Sequence, residues 1–183
     1  MFHNINGDFM GADNHLTGVE RFFDKNEIIV SKTNLKGHIT YANKTFLNIA
    51  GYTEKEVLGE PHSILRHPDM PRCVFQLLWD TVQEKKEIFA YVINRTKIGD
   101  HYWVMAHVTP SFDASGQIDG YHSNRRVPDK KIIDGKIKPL YKALLAEEQR
   151  HKNSKEGMKS STEMLVKTLN EKGIGYDEFF FSL

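Results

Sequence analysis

The chain has a single cysteine, Cys73, among its 183 residues. A lone thiol excludes an internal disulfide and any cysteine-rich zinc cage. Long apolar runs are missing too: no stretch approaches the roughly 18–20 residues needed to span a bilayer. The opening MFHNINGDFMGADNH also lacks the basic, apolar, small-residue order of a signal peptide. A cytoplasmic protein with no direct membrane insertion is the expectation. Charge of one sign is lacking as well. With 25 Lys and Arg against 24 Asp and Glu, the net charge of +1 provides no global field for nucleic acid or an anionic membrane. Electrostatic recognition therefore has to be local. There is no Gly-rich phosphate loop with lysine, no GxSxG elbow and no recognisable pair of catalytic carboxylates, so the chain does not read as an enzyme.

The composition, 39% hydrophobic and 27% charged, suits one domain with appendages. Three parts are expected: residues 1–26 as a flexible segment or cap, 27–128 as the domain, and 129–183 as a helical linker and tail. EIIVSKT and GHITYAN read as two strands joined by a turn at NLKG. In KTFLNIAGYTEKEVLGEP, Phe46, Ile49 and Ala50 share a helical face that stops at Gly51. Thr53 and Glu56 then have capping-box spacing for a second short helix. Pro71 falls in the first turn of a helix whose stripe is Val74, Phe75, Leu78, Trp79 and Val82. EIFAYVINRTK, HYWVMAHVTPSFD and QIDGYHSNRRV alternate as three further antiparallel strands. One of Tyr102 and Trp103 is expected to face inward, and NRR at Asn124–Arg126 reads as a solvated edge or a signalling surface. The order gives an α+β fold with a five-stranded antiparallel sheet, short helices on one face and C-terminal helices beyond.

LRHPDMPRCVFQLLW brings an arginine, a histidine and an aspartate to the mouth of an aromatic helix. ANKTFLNIAGYTEKEVLGEPHSILRHPDMP, with FQLLW, NRTKIGDHYWV and GQIDGYHSNRR, resembles the flavin-binding PAS domains of bacterial aerotaxis (Aer-like) receptors and their energy-taxis relatives. The likeness spans roughly residues 27–128. It implies a PAS fold and FAD bound noncovalently as a redox sensor, with signalling in trans to a chemoreceptor or other transducer and a homodimer as a further expectation. Matched by motif, the cofactor-associated positions are Asn43, Arg66, His67, Asp69, Trp79 and Asn94, and Phe75 on the same helix as Trp79 joins them as a candidate. Where the receptor subgroup usually carries Trp and Gly in the first long strand, this chain has Ile88 and Ala90.

The physics of such a ligand agrees with that set. A pyrophosphate needs cationic or N–H donors, which Arg66 and a helix N-terminus provide. Flat rings need apolar walls such as Trp79, and their polar edges suit Asn43 and Asn94. Asp69 is equally a residue that orients Arg66 or caps the helix.

Competing readings are a haem or other small-molecule sensor and a ligand-free dimerisation module. The nine histidines show no metal-ligand spacing. Light-oxygen-voltage domains carry an adduct-forming cysteine where this chain has His62, and Cys73 is out of register with it. In the tail, Ile133, Ile137, Leu140, Leu144 and Leu145 approach helical spacing across Gly135 and Pro139. Met164, Leu165 and Leu169 suggest a second helix, and YDEFFFSL either docks on the core or meets a partner.

Overall fold

The computed structural model describes residues 15–183; the expected flexible opening up to residue 14 lies outside them. Ile29–Asn34 (β1) and Ile39–Ala42 (β2) form the expected hairpin, with Ser31 opposite Ala42. Its turn is held by the Asn34 side-chain oxygen, which accepts from the Lys36 and His38 N–H groups, and by Gly37 at φ +77°. That glycine is doubly constrained, because a Cβ there would stand 3.3 Å from the Trp79 ring.

Lys44–Ala50 (α1) ends at Gly51 in the left-handed region. Glu54–Val57 (α2) opens on the reciprocal Thr53–Glu56 capping box that the spacing predicts. A 3-10 turn at His62–Leu65 then leads to Arg72–Gln83 (α3). Pro71 precedes the first helical residue of α3 instead of lying in its first turn.

Ile88–Arg95 (β3), His101–Phe112 (β4) and Ile118–Arg126 (β5) complete an all-antiparallel sheet in the order β2-β1-β5-β4-β3. The last strand in sequence therefore lies at the centre, with Ser123 facing Ser31 across the β1–β5 pair.

After β5, Lys130–Ile132 (α4) runs through a π-helical turn at Ile133–Ile137 into Lys138–Gln149 (α5). Proline lacks an N–H, and in a regular helix its ring strikes the carbonyl four residues back. With Pro139 in the first turn of α5, the widened turn makes the expected interruption a bulge instead of a break. Ser154–Lys172 (α6) and Tyr176–Phe181 (α7) close the chain.

These helices share one apolar cluster with the sheet: Ile133, Ile137, Tyr141, Leu144, Leu165, Leu169 and Phe180 join Phe46, Ile93 and Val104. They also manage the edge strand. The Tyr141 hydroxyl donates to the Tyr91 carbonyl and the Tyr176 hydroxyl to the Phe89 carbonyl, at 2.8 Å for the second. Both acceptors lie on β3, where an uncovered edge would invite pairing with another chain. Because helices cover both faces at this end, Tyr102 and Trp103 are both buried, at 0% and 6% exposure. The expectation of a single inward residue assumed a sheet with one wet face.

The described part of the N-terminal segment forms no helix and is tied to the start of β4. Glu20 bridges His101 in parallel, and Thr17 and Arg21 both bind the Asp100 carboxylate.

The tail docks in cis. Phe180 stacks on Tyr91 with ring centroids 4.8 Å apart and is 5% exposed, whereas Phe181 is 67% exposed. Phe180→Ala should lower unfolding free energy by about 3–5 kcal/mol, as large-to-small changes of buried phenylalanines do. Phe181→Ala should change it by less than about 0.5 kcal/mol. Urea denaturation of the two variants distinguishes them.

Candidate functional site

Between the sheet and α3 lies a cavity of about 1300 Å³, counting the mouth open to solvent. One wall is α3, whose Phe75, Leu78, Trp79 and Val82 face inward as the helical stripe predicts. Val92, Ala106, Val108 and Tyr121 form the opposite wall from β3, β4 and β5. Trp79 is fixed edge-on against Tyr121, with centroids 5.1 Å apart.

The polar groups divide into a deep set and an outer set. At the deep end Arg125, 4% exposed, reaches in from the central strand β5. Its Nη2 donates to Ser31 Oγ at 2.8 Å and to His62 Nε2 at 2.6 Å. The guanidinium also lies 5.7 Å from the Phe46 ring centroid. Burial pushes the Arg125 pKa down to about 10, which leaves it charged at neutral pH. Burial, and then the Arg125 charge, pushes His62 down to about 3. His62 is thus a neutral imidazole accepting at Nε2.

Among the described residues no Asp or Glu lines the cavity, whereas Lys36, Arg66, Arg72 and Arg125 do. Three buried polar atoms in its walls have no partner: Asn94 Nδ2, Ser123 Oγ and Arg125 Nη1. An unpaired buried donor costs about 1–3 kcal/mol, and more when charged. The walls therefore suit a ligand that brings hydrogen-bond acceptors and negative charge.

At the outer end, Arg66 stacks over Phe75 at 5.2 Å. An isolated antiparallel bridge couples its backbone to that of Asn94, which places two residues of the motif side by side. Burial lowers the Arg66 pKa, as does the nearby Arg72 charge. Two guanidinium groups held near one another suit an anion.

Of the seven residues singled out from the sequence, the cavity gathers Arg66, Phe75, Trp79 and Asn94. Asn43, His67 and Asp69 lie outside its lining. Asn43 has other work: its Oδ1 accepts from the Phe46 and Val30 N–H groups, and its Nδ2 donates to the Ile28 carbonyl at 2.8 Å. It is the N-cap of α1 and the tie to β1. His67 is buried edge-on against His101, and its Nδ1 accepts from the Asp69 N–H at 3.1 Å. The Asp69 side chain, 72% exposed, neither caps α3 nor pairs with Arg66.

Arg125 corrects the reading of NRR as a solvated edge, because β5 is central. The alternation of Tyr121, Ser123 and Arg125 could have revealed it, since all three point to one face. His62, Ser31, Ser123 and Arg72 were likewise missed as lining residues. Cys73 is buried outside the lining, and desolvation pushes its thiol up to about 11. Among the described residues no group of three or more His, Cys, Asp and Glu could hold a metal ion. No helix among them is long and apolar enough to cross a membrane.

Sheet, short helices and enclosed cavity define the class. The PAS fold profile matches residues 39–124, and this segment is a PAS domain. It is of the aerotaxis-receptor-like kind: the chain is 44% identical over 119 residues to the aerotaxis receptor of Escherichia coli strain K12, covering 64% of this chain and 23% of that protein. The nitrogen fixation regulatory protein of Klebsiella pneumoniae is 27% identical over 99 residues, 54% of this chain and 20% of that one. The chain thus spans less than a quarter of the length of these relatives.

Among solved structures, a light-oxygen-voltage domain studied with a flavin analogue superposes with a TM-score of 0.55 at 18% identity, over 63% of this chain and 87% of that one. The light state of the blue-light photoreceptor Aureochrome1 LOV gives 0.51 at 22% identity, over 67% and 91%. At these identities the likeness bears on the fold alone.

The His62 environment predicts a pH dependence. An unfolded histidine titrates at about 6.5, and the folded one at about 3. Between these values the unfolded chain binds the extra proton, so stability is full above about pH 6.5 and declines as pH falls towards the folded value. From pH 7 to pH 5 this group should contribute a loss of about 2 kcal/mol, read in urea melts of the cofactor-free protein. His62→Gln should remove that share.

Proposed function

We propose that the cavity binds FAD noncovalently and that the protein is a redox sensor, not a catalyst, reporting an oxygen-linked or energy signal to a chemoreceptor or another transducer in trans. The observation that carries this reading is a cavity with four cationic side chains, no carboxylate, and unspent polar atoms on Asn94, Ser123 and Arg125. Aromatic and aliphatic walls from α3 and the sheet match flat rings. Arg66 and Arg72 would hold the phosphates, and Arg125, Asn94 and Ser123 the polar edge of the flavin. Bound flavin supplies reversible electron uptake, with a change of charge at that edge.

Arg125 keeps a fixed positive charge there and His62 stays neutral beside it, so this end of the site responds to the electron count. The response can reach the rest of the chain only through a difference in how the two redox states interact with these residues.

The likeness to an aerotaxis receptor supports the sensing role, and the chain is read as the sensing part of such a system. A haem reading gains nothing from His62, whose Nε2 is engaged by Arg125.

The purified protein should show flavin absorption bands and release FAD on heating; a colourless preparation that gains no heat stability with added FAD overturns the reading. Arg66→Ala should lose most FAD while keeping the native circular dichroism spectrum. Recovery of a transducer partner in pull-downs should differ between oxidised and dithionite-reduced protein, and equal recovery would remove the signalling step.

A further inference from the structure

Resting on the FAD reading, we infer that helix α6 belongs to the cofactor site, with Met158 forming part of the wall that receives the adenosine half of the dinucleotide. Met158 is the one cavity-lining residue that comes from beyond β5 among the described residues. It is partly exposed and lies beside the point where α6 comes closest to α5.

That approach depends on Gly157, which is buried. A Cβ there would stand 2.4 Å from the Glu148 carbonyl oxygen, so a larger residue would drive the helices apart. The same Glu148 ties three helices together. Its Oε1 accepts from the Cys73 N–H in the first turn of α3 at 3.1 Å and from Ser161 Oγ on α6 at 3.1 Å. Ser161 Oγ also contacts the Met158 carbonyl at 3.0 Å. Met158 is thereby held against the end of α3 that contributes Arg72, Phe75 and Gln76 to the lining.

The cavity lining holds the three kinds of group that FAD requires. Asn94, Ser123 and Arg125 are the buried polar set, for the flavin edge. Arg66, Arg72 and the exposed Lys36 are the outer cations, for the two phosphates. Phe75 and the polarisable thioether of Met158 supply the apolar surface a second ring system needs. Riboflavin can use only the first set and FMN the first two, whereas FAD can use all three. The preference for a dinucleotide would then come partly from a helix that lies beyond the PAS segment at 39–124.

The test is titration of the cofactor-free full chain with FAD, FMN and riboflavin, read by flavin fluorescence. Met158→Glu sets a carboxylate beside the phosphates and should weaken FAD by about tenfold. Riboflavin carries no phosphate charge for the carboxylate to repel, so its affinity should change by less than about twofold. Met158→Ala, which removes the side chain that walls the adenosine half, should weaken FAD while changing FMN and riboflavin by less than about twofold, which keeps the test informative if the Glu variant unfolds; circular dichroism reports folding of both. Equal shifts for FAD and riboflavin, or unchanged FAD affinity in Met158→Glu, would remove α6 from the site while leaving the FAD reading intact. Wild-type protein that binds none of the three flavins would remove the FAD reading, and this inference with it.

Discussion

A guanidinium in the middle of a sheet, with no carboxylate lining the space it faces, is the constraint around which the interior is arranged. Arg125 is tolerable there because Ser31 and His62 accept from it and the Phe46 ring lies beneath it. None of these neutralises its charge. Desolvating a cation costs several kcal/mol unless an anion or several good acceptors compensate. Central placement of β5, a buried serine at position 31 of β1, and a neutral histidine on the 3-10 turn all serve this one group. A ligand with negative character is the natural completion.

The helix α3 connects that interior to the tail. Phe75, Leu78, Trp79 and Val82 line the cavity, while Val74 packs with Tyr141, Leu144, Leu165 and Phe180 beneath the C-terminal helices. Its N-terminal N–H at Cys73 is satisfied by Glu148 of α5. Interiors packed at crystal-like density transmit small displacements instead of absorbing them. A shift of α3 produced at the cavity would therefore reach α5 and α6, which is the physical content of the sensing role proposed for this chain.

Much of the fold was legible in the sequence because it follows from local geometry. Alternation marked β1, β3, β4 and β5, the Thr53–Glu56 spacing marked α2, and Gly51 stops α1 as expected. The site was legible in part. Of the candidates, Arg66, Phe75, Trp79 and Asn94 line the cavity, whereas Asn43, His67 and Asp69 lie outside its lining. A motif records which residues occur together, and capping or core packing keeps residue types as firmly as ligand contact does. Asn43 illustrates this, since its carboxamide is consumed by the backbone of β1 and α1.

By itself the sequence determined the elements, their order and the absence of a disulfide framework, since periodicity, caps and cysteine count depend only on near neighbours along the chain. Tertiary structure alone decided that NRR is central, that both faces of the sheet are covered at β3, and that α6 reaches the cavity. Each of these rests on pairings between distant residues, as with Arg125 and Ser31, 94 positions apart. Such pairings are set by which strand order and helix crossing bury the most surface with the fewest unpaired polar groups. That balance is a property of the whole chain, and no local window contains it.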